Sequence, residues 1–133
     1  MTESFTIKTK QTEELLDITG EVSSIVSRSS ISDGICIIYT PHTTAAITIN
    51  ENADPTVRTD IIKGLNHLDL ARVPFRHQEG NSPAHIKSSL FGCSETVFIE
   101  SGRLNLGTWQ GIYFCEFDGP RTRSVMVKII ADR

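Results

Sequence analysis

Apolar and polar residues alternate along Phe5-Thr6-Ile7-Lys8-Thr9, the period of a half-buried β-strand. The period then changes. Leu15, Ile18, Val22, Ile25 and Val26 recur at three- and four-residue steps, with Thr12 placed as an N-cap and Glu13 and Glu14 in the first turn. That spacing predicts an amphipathic helix despite Gly20. Ser32-Asp33-Gly34 reads as a turn, and the continuous apolar run Ile35-Cys36-Ile37-Ile38-Tyr39 predicts a central strand. Pro41-His42-Thr43-Thr44 breaks that run, and residues 45–50 resume as a second strand.

Asp54-Pro55 predicts a helix start, a capping acid followed by proline at the first helical position, with Val57, Ile61, Ile62, Leu65 and Leu68 as its apolar stripe. Periodicity fails over residues 69–81, which predicts a long loop of the kind that is usually functional or disordered. Ser82-Pro83 opens a short helix carrying His85, Ile86 and Leu90, and Gly92 ends it. The runs 96–99, 104–106, 112–117 and 124–130 then predict successive antiparallel strands. Strands mixed with helices, then strands alone, indicate an α+β fold with an antiparallel sheet or sandwich, in a single domain over residues 1–133.

Composition narrows the function. A formal net charge of −3 argues against a nucleic-acid partner, so an anion site would have to come from local arginines. No apolar run approaches the roughly 18 residues of a membrane span, and the N-terminus lacks the basic start and apolar core of an export signal. Cys36, Cys93 and Cys115 show no CxxC spacing, and Cys36 and Cys115 lie in apolar runs where a buried thiol is the default. A cytoplasmic protein is expected.

All four histidines fall between positions 42 and 85. His42 sits in the break after a strand, His77 in the aperiodic loop and His85 in the first turn of a short helix. Three such histidines suit a catalytic zinc-type site with one coordination place open, but none of their spacings is a metal motif, and surface or capping roles are the default reading. A helix start disfavours an imidazolium, which points to a neutral, ligand-like His85; His67, at a helix end, has the structural reading. Glu51 follows a strand directly, where turn chemistry competes with a role in a site. Glu116 and Asp118 share one face if their strand continues, and burial would then demand a metal, an arginine or a substrate donor. Arg121 and Arg123 are counter-charges or phosphate ligands, unless the whole group is a surface ion-pair network around the 118–120 turn. The only tryptophan, Trp109, precedes Gln110 between Gly107 and Gly111; it either covers a core edge or holds a loop against something.

The segments Thr40-Pro41-His42-Thr43-Thr44-Ala45-Ala46, Asn50-Glu51-Asn52-Ala53-Asp54-Pro55, Gly80-Asn81-Ser82-Pro83-Ala84-His85-Ile86-Lys87 and Glu116-Phe117-Asp118-Gly119-Pro120-Arg121 occur together with the stretch 102–112. In this combination the chain resembles the YjbQ family, small proteins linked to secondary thiamine-phosphate synthesis. The resemblance implies a homotrimer of α+β subunits, each an antiparallel β-sandwich with flanking helices. It implies a divalent metal, zinc or alternatively magnesium, on His42, His77 and His85. Glu51, Glu116 and Asp118 would then be catalytic, and Asn81, Trp109, Gln110 and Arg121 would bind a small phosphorylated metabolite, with no nucleic acid or membrane involved. The implied reaction joins a pyrimidine pyrophosphate to a thiazole phosphate with release of pyrophosphate. A metallohydrolase of a small phosphorylated metabolite and a non-catalytic trimeric binder of an anionic metabolite are the alternatives. The absence of a glycine-rich phosphate loop of the P-loop kind counts against the transferase.

Overall fold

A computed structural model describes residues 2–133. Two antiparallel sheets carry the fold. The larger contains β1 (Thr2–Lys8), β8 (Thr122–Ala131), β3 (Gly34–Tyr39), β5 (Ser94–Glu100) and β6 (Arg103–Leu104), in that order across the sheet. The smaller has β7 (Gln110–Glu116) at its centre, flanked by β2 (Glu14–Asp17) and β4 (Ala45–Glu51). Helix α1 (Thr19–Ser29) joins the core, while α2 (Pro55–Asn66) and α3 (Ser82–Phe91) lie with the smaller sheet. The expected α+β class is therefore observed.

Alternation decides what each sheet buries. Cys36, Ile38, Val97, Ile99, Val125, Val127 and Ile129 point inward from the larger sheet and meet Ala45, Ile47, Ile112 and Phe114 from the smaller one. Ile18, Val22, Ile25 and Val26 complete this main core. The opposite face of the smaller sheet presents Leu15, Ala46, Tyr113, Cys115 and Phe117 to Ala84 of α3 and to Ile61, Ile62 and Leu65 of α2. Because both faces of β7 are covered, its burial is continuous from Gly111 to Glu116.

The predicted helix beginning near Thr12 is corrected: residues 14–17 are strand β2, and the helix starts at Thr19. The Glu14 carboxylate accepts from the Lys10 and Gln11 amides, and Glu14–Asp17 then pairs with Glu116–Tyr113 of β7. Leu15 and Leu16 thus face opposite layers, and pairing with a central strand outweighs a helical spacing that is equally met by a strand followed by a helix. The long loop is as expected apart from a 3-10 turn at Leu70–Arg72, and the Asp54 carboxylate caps α2 through the Thr56 amide at 2.9 Å.

Close approach of backbones also sets the architecture. A Cβ at Gly34 would stand 2.2 Å from the Ile130 carbonyl oxygen of β8. Gly34→Ala should therefore cost roughly 1–3 kcal/mol through forced strand displacement, seen as a lower denaturant midpoint. An unchanged midpoint would show that the two strands separate freely.

Candidate functional site

The expected site residues fall into two groups at opposite ends of β7. Six residue steps at about 3.4 Å separate Gln110 from Glu116, so the groups lie roughly 20 Å apart within one chain. One chain alone does not assemble them into a single pocket.

At the Gln110 end, Glu51 is directly opposite Gln110 in the β4–β7 register. The Trp109 carbonyl accepts from the Asn52 amide at 2.9 Å, and Gln110 folds back so that its Oε1 accepts from the Gly107 amide at 2.8 Å. Gly111 is required there, because a Cβ would stand 2.3 Å from the Asn52 side chain. Asn52 in turn donates to Asp17, whose carboxyl is pushed up by partial burial but held lower on balance by hydrogen bonds from Thr19 and Asn52 and by Arg58. The result is a pinned turn from which Trp109 projects, 62% exposed. It covers no core edge.

At the other end, the buried pair of Glu116 and Arg123 organises everything around it; they are 0% and 4% exposed. Glu116 Oε1 accepts from Thr9 Oγ1 at 2.7 Å and from Arg123 Nε at 2.8 Å, while Oε2 accepts from Arg123 Nη2 and from the Asp118 amide at 3.0 Å. Burial pushes the Glu116 carboxyl up, but these hydrogen bonds and the Arg123 charge together hold it below the usual carboxylate range. Arg123 also donates to the hydroxyl and carbonyl of Thr44. Two expectations change as a result. β7 ends at Glu116, so Asp118 shares no strand face with it; and Glu116 has no oxygen or exposed surface left for a substrate, which makes it a support for the 116–121 turn. Thr9 and Thr44 carry no sign of this role in sequence, since Thr9 is 107 positions from Glu116.

Asp118 Oδ2 accepts from Asn81 Nδ2 at 2.8 Å and from Arg121 Nη2 at 2.9 Å, and the Asp118 carbonyl accepts from Arg121 Nε at 2.7 Å. Arg121 remains half exposed, with its remaining N–H donors free to meet an anion. Asn81 immediately precedes α3, and its Oδ1 is buried without a partner. That lone pair calls for a donor or a cation.

α3 carries His85 in its first turn and is anchored further along. Ser88 donates to the Ala45 carbonyl at 2.6 Å, and Lys87 pairs with Glu13 and reaches Asn66 Oδ1 at 3.1 Å. His85 meets His77 with ring centres 5.3 Å apart, at a cleft of about 400 Å³ lined by Phe75, His77, Ser82, His85 and Ile86. Two imidazoles on one tetrahedral zinc, at bonds of about 2.0–2.1 Å, also place their ring centres roughly 5 Å apart, so this pair has the right spacing for a shared metal.

His42 does not join them. Its Nε2 accepts from the Ser124 amide at 2.9 Å. Burial first, and then the Arg123 charge, lower its pKa and keep the ring neutral near pH 7. A neutral ring that accepts at Nε2 carries its proton on Nδ1, leaving no lone pair for a metal. Among the described residues, no three His, Cys, Asp or Glu side chains of one chain stand together as a ligand group. His67 has the expected structural place, its Nδ1 3.0 Å from the Lys63 carbonyl at the end of α2.

Sequence and fold comparisons agree on the affiliation. The model of the family described as UPF0047 protein YjbQ-like matches residues 3–132. A UPF0047 protein of Methanocaldococcus jannaschii is 60% identical over 97% of this chain and 94% of its own length, and the UPF0047 protein YugU of Bacillus subtilis is 50% identical over 98% and 99%. Among solved structures, a YjbQ/UPF0047 family protein of Clostridium acetobutylicum superposes with a TM-score of 0.94 at 52% identity, covering 96% of this chain and 99% of that one. A protein of unknown function from Sulfolobus solfataricus reaches the same TM-score at 32% identity, over 99% and 97%. The chain belongs to the YjbQ (UPF0047) family.

Proposed function

We propose that this protein is a metal-assisted transferase for small phosphorylated metabolites, of the kind that joins a pyrimidine pyrophosphate to a thiazole phosphate. The observation that carries the reading is the His77–His85 pair at a cleft, close along α3 to the Asn81–Asp118–Arg121 chain. A divalent metal, zinc or magnesium, would be held by His77 and His85 and would supply charge neutralisation for a leaving pyrophosphate. Arg121 faces the same charge with a guanidinium fork, which Asp118 orients from two sides. The buried Glu116–Arg123 pair keeps that turn in place.

Transfer is favoured over hydrolysis by the carboxylates at this end. Asp118 is paired with Asn81 and Arg121, and Glu116 is fully engaged, so neither is free to activate water. Departure of a pyrophosphate needs electrostatic help more than it needs a base. A cytoplasmic homotrimer is the proposed form. No residue from Thr48 to Pro83 is buried, and a segment of that length with α2 inside it calls for a neighbouring surface.

The test supplies metal-loaded protein with both phosphorylated substrates and follows pyrophosphate. Release that requires both substrates is expected; release from either alone makes the protein a hydrolase, and no release defeats the catalytic reading. Arg121→Lys should weaken pyrophosphate binding roughly ten- to a hundred-fold, because an ammonium lacks the two-pronged contact. The melting temperature should fall by only a few degrees, since a half-exposed ion pair contributes about 0–1 kcal/mol. A large drop in melting with unchanged binding would make Arg121 solely a partner of Asp118.

A further inference from the structure

In β3 the run Ile35-Cys36-Ile37-Ile38-Tyr39 is apolar at every position. Cys36 and Ile38 fill the main core at 0% exposure, so alternation turns Ile35, Ile37 and Tyr39 to the outer face of the larger sheet. Register places Phe98 and Ile130 on either side of Ile35, and Ser94 and Met126 on either side of Tyr39. Tyr39, Phe98, Met126 and Ile130 are all exposed. A strand apolar on both sides is the pattern of a sheet whose two faces are both covered. Among the described residues, however, α1 packs into the main core, and α2 and α3 lie with the smaller sheet. The outer face is left open.

Lys128 interrupts this surface. It stands opposite Ile37 on one side and Thr2 on the other, with Met126 and Ile130 as its same-face neighbours along β8. Among the described residues, no carboxylate forms an ion pair with it. Glu100, the acid that alternation puts on this face of β5, lies beyond Phe98 and accepts from Asn105 Nδ2 at 3.1 Å. Beside the Lys128 ammonium the sheet forms a hollow of about 340 Å³, walled by Ile37, Tyr39 and Met126 and edged by the hydroxyl residues Thr2 and Ser94. That volume is at the lower end of the roughly 300–1,000 Å³ of small-molecule sites, which share its make-up of apolar walls and a few polar groups.

We propose that this hollow binds a small monocarboxylate with an apolar body, its carboxylate paired with Lys128 and its body against Ile37, Tyr39 and Met126. Charge complementarity selects the class. An ammonium set among apolar side chains favours an anion that brings its own apolar group, and a single ammonium matches a single carboxylate. An anion without a body gains only a screened surface pair, and a neutral body gains only the apolar contact. The hollow shares no residue with the His77–His85 cleft, so this site stands independently of the metal and of the transfer reaction.

Octanoate is the probe, with acetate, octanol and octylammonium as its truncated, neutral and cationic counterparts. The chain has two methionines, so methyl-labelled methionine gives an NMR signal for Met126 that Met126→Leu identifies. Octanoate should move that signal saturably and bind at least tenfold more tightly than each counterpart. Lys128→Gln should weaken octanoate at least tenfold, the loss of a charge-assisted hydrogen bond, while octanol binding stays unchanged and shows the hollow to be intact. Tyr39→Ser should weaken octanoate and octanol alike. A Met126 signal that octanoate does not move overturns the site. Equal binding of octanoate and octylammonium, or octanoate binding that is indifferent to Lys128→Gln, overturns the carboxylate class. A second copy of the chain is the rival occupant of this face. The Met126 signal would then move with protein concentration, in step with a rise in scattering mass that Phe98→Ser abolishes, and that result also overturns the ligand site.

Discussion

Arg123→Ala should lower the melting temperature by roughly 10–20 °C. Arg123 is 4% exposed and supplies two of the four hydrogen bonds that Glu116 accepts. Its removal leaves a fully buried carboxylate partly unsolvated, which costs about 3–5 kcal/mol, and each kcal/mol moves the midpoint of a chain this long by about 3–4 °C. The pH dependence separates this cause from lost packing. In the wild type, Glu116 is held below the usual carboxylate range, so its contribution is complete above the unfolded value of about 4.3 and fades as pH falls through the lower folded value. In the variant, burial acts with less opposition and should raise the folded value, so that protonation stabilises the variant as pH falls. The gap between the two proteins should therefore narrow between neutral pH and about pH 4. A gap that stays constant would mean that Arg123 acts through packing alone. Replacing both partners together, as Glu116→Leu with Arg123→Met, should recover most of the loss, because it leaves no orphaned charge.

His85→Ala should reduce divalent-metal affinity by more than about a hundred-fold, since removal of even an outer partner of a ligand costs 10–100-fold. The fold should tolerate the change, because α3 is anchored by Ser88, Lys87 and Ala84. Two control substitutions give the result its meaning. His67→Ala should leave binding intact, since its ring closes onto the Lys63 carbonyl. His42→Ala should also leave it intact, since Nε2 is committed to the Ser124 amide. Calorimetric titration with zinc of all three variants decides the matter. Loss of binding in His42→Ala would show that the ring turns to join the metal, and retention in His85→Ala would remove the His77–His85 pair from the site.

Several of these groups are legible from local pattern. His85 stands in the first turn of a helix whose limits Pro83 and Gly92 mark, and Asp54-Pro55 declares a cap that the structure shows. Cys36 and Cys115 sit in apolar runs and are buried, where desolvation pushes the Cys36 thiol up to about 11. In these cases a few neighbouring residues carry both the conformation and its consequence. The pairing of residues 14–17 with β7 is different: its energy comes from a strand about a hundred positions away, and no local spacing reports it.

Local pattern sets the segments, their class and the residue types available for chemistry, because helix and strand periods and capping rules act over a few residues. Where those residues meet depends on contacts made across the folded chain. The register of β4 against β7 sends Glu51 to the Trp109 end and Ala45 to the Glu116 end. The Ser124 amide claims His42, and Arg123 draws Glu116 out of reach of any substrate. Strand register and burial act between residues far apart in the chain, so the same acids and histidines become a support, a cap or a ligand pair according to contacts that no short stretch encodes.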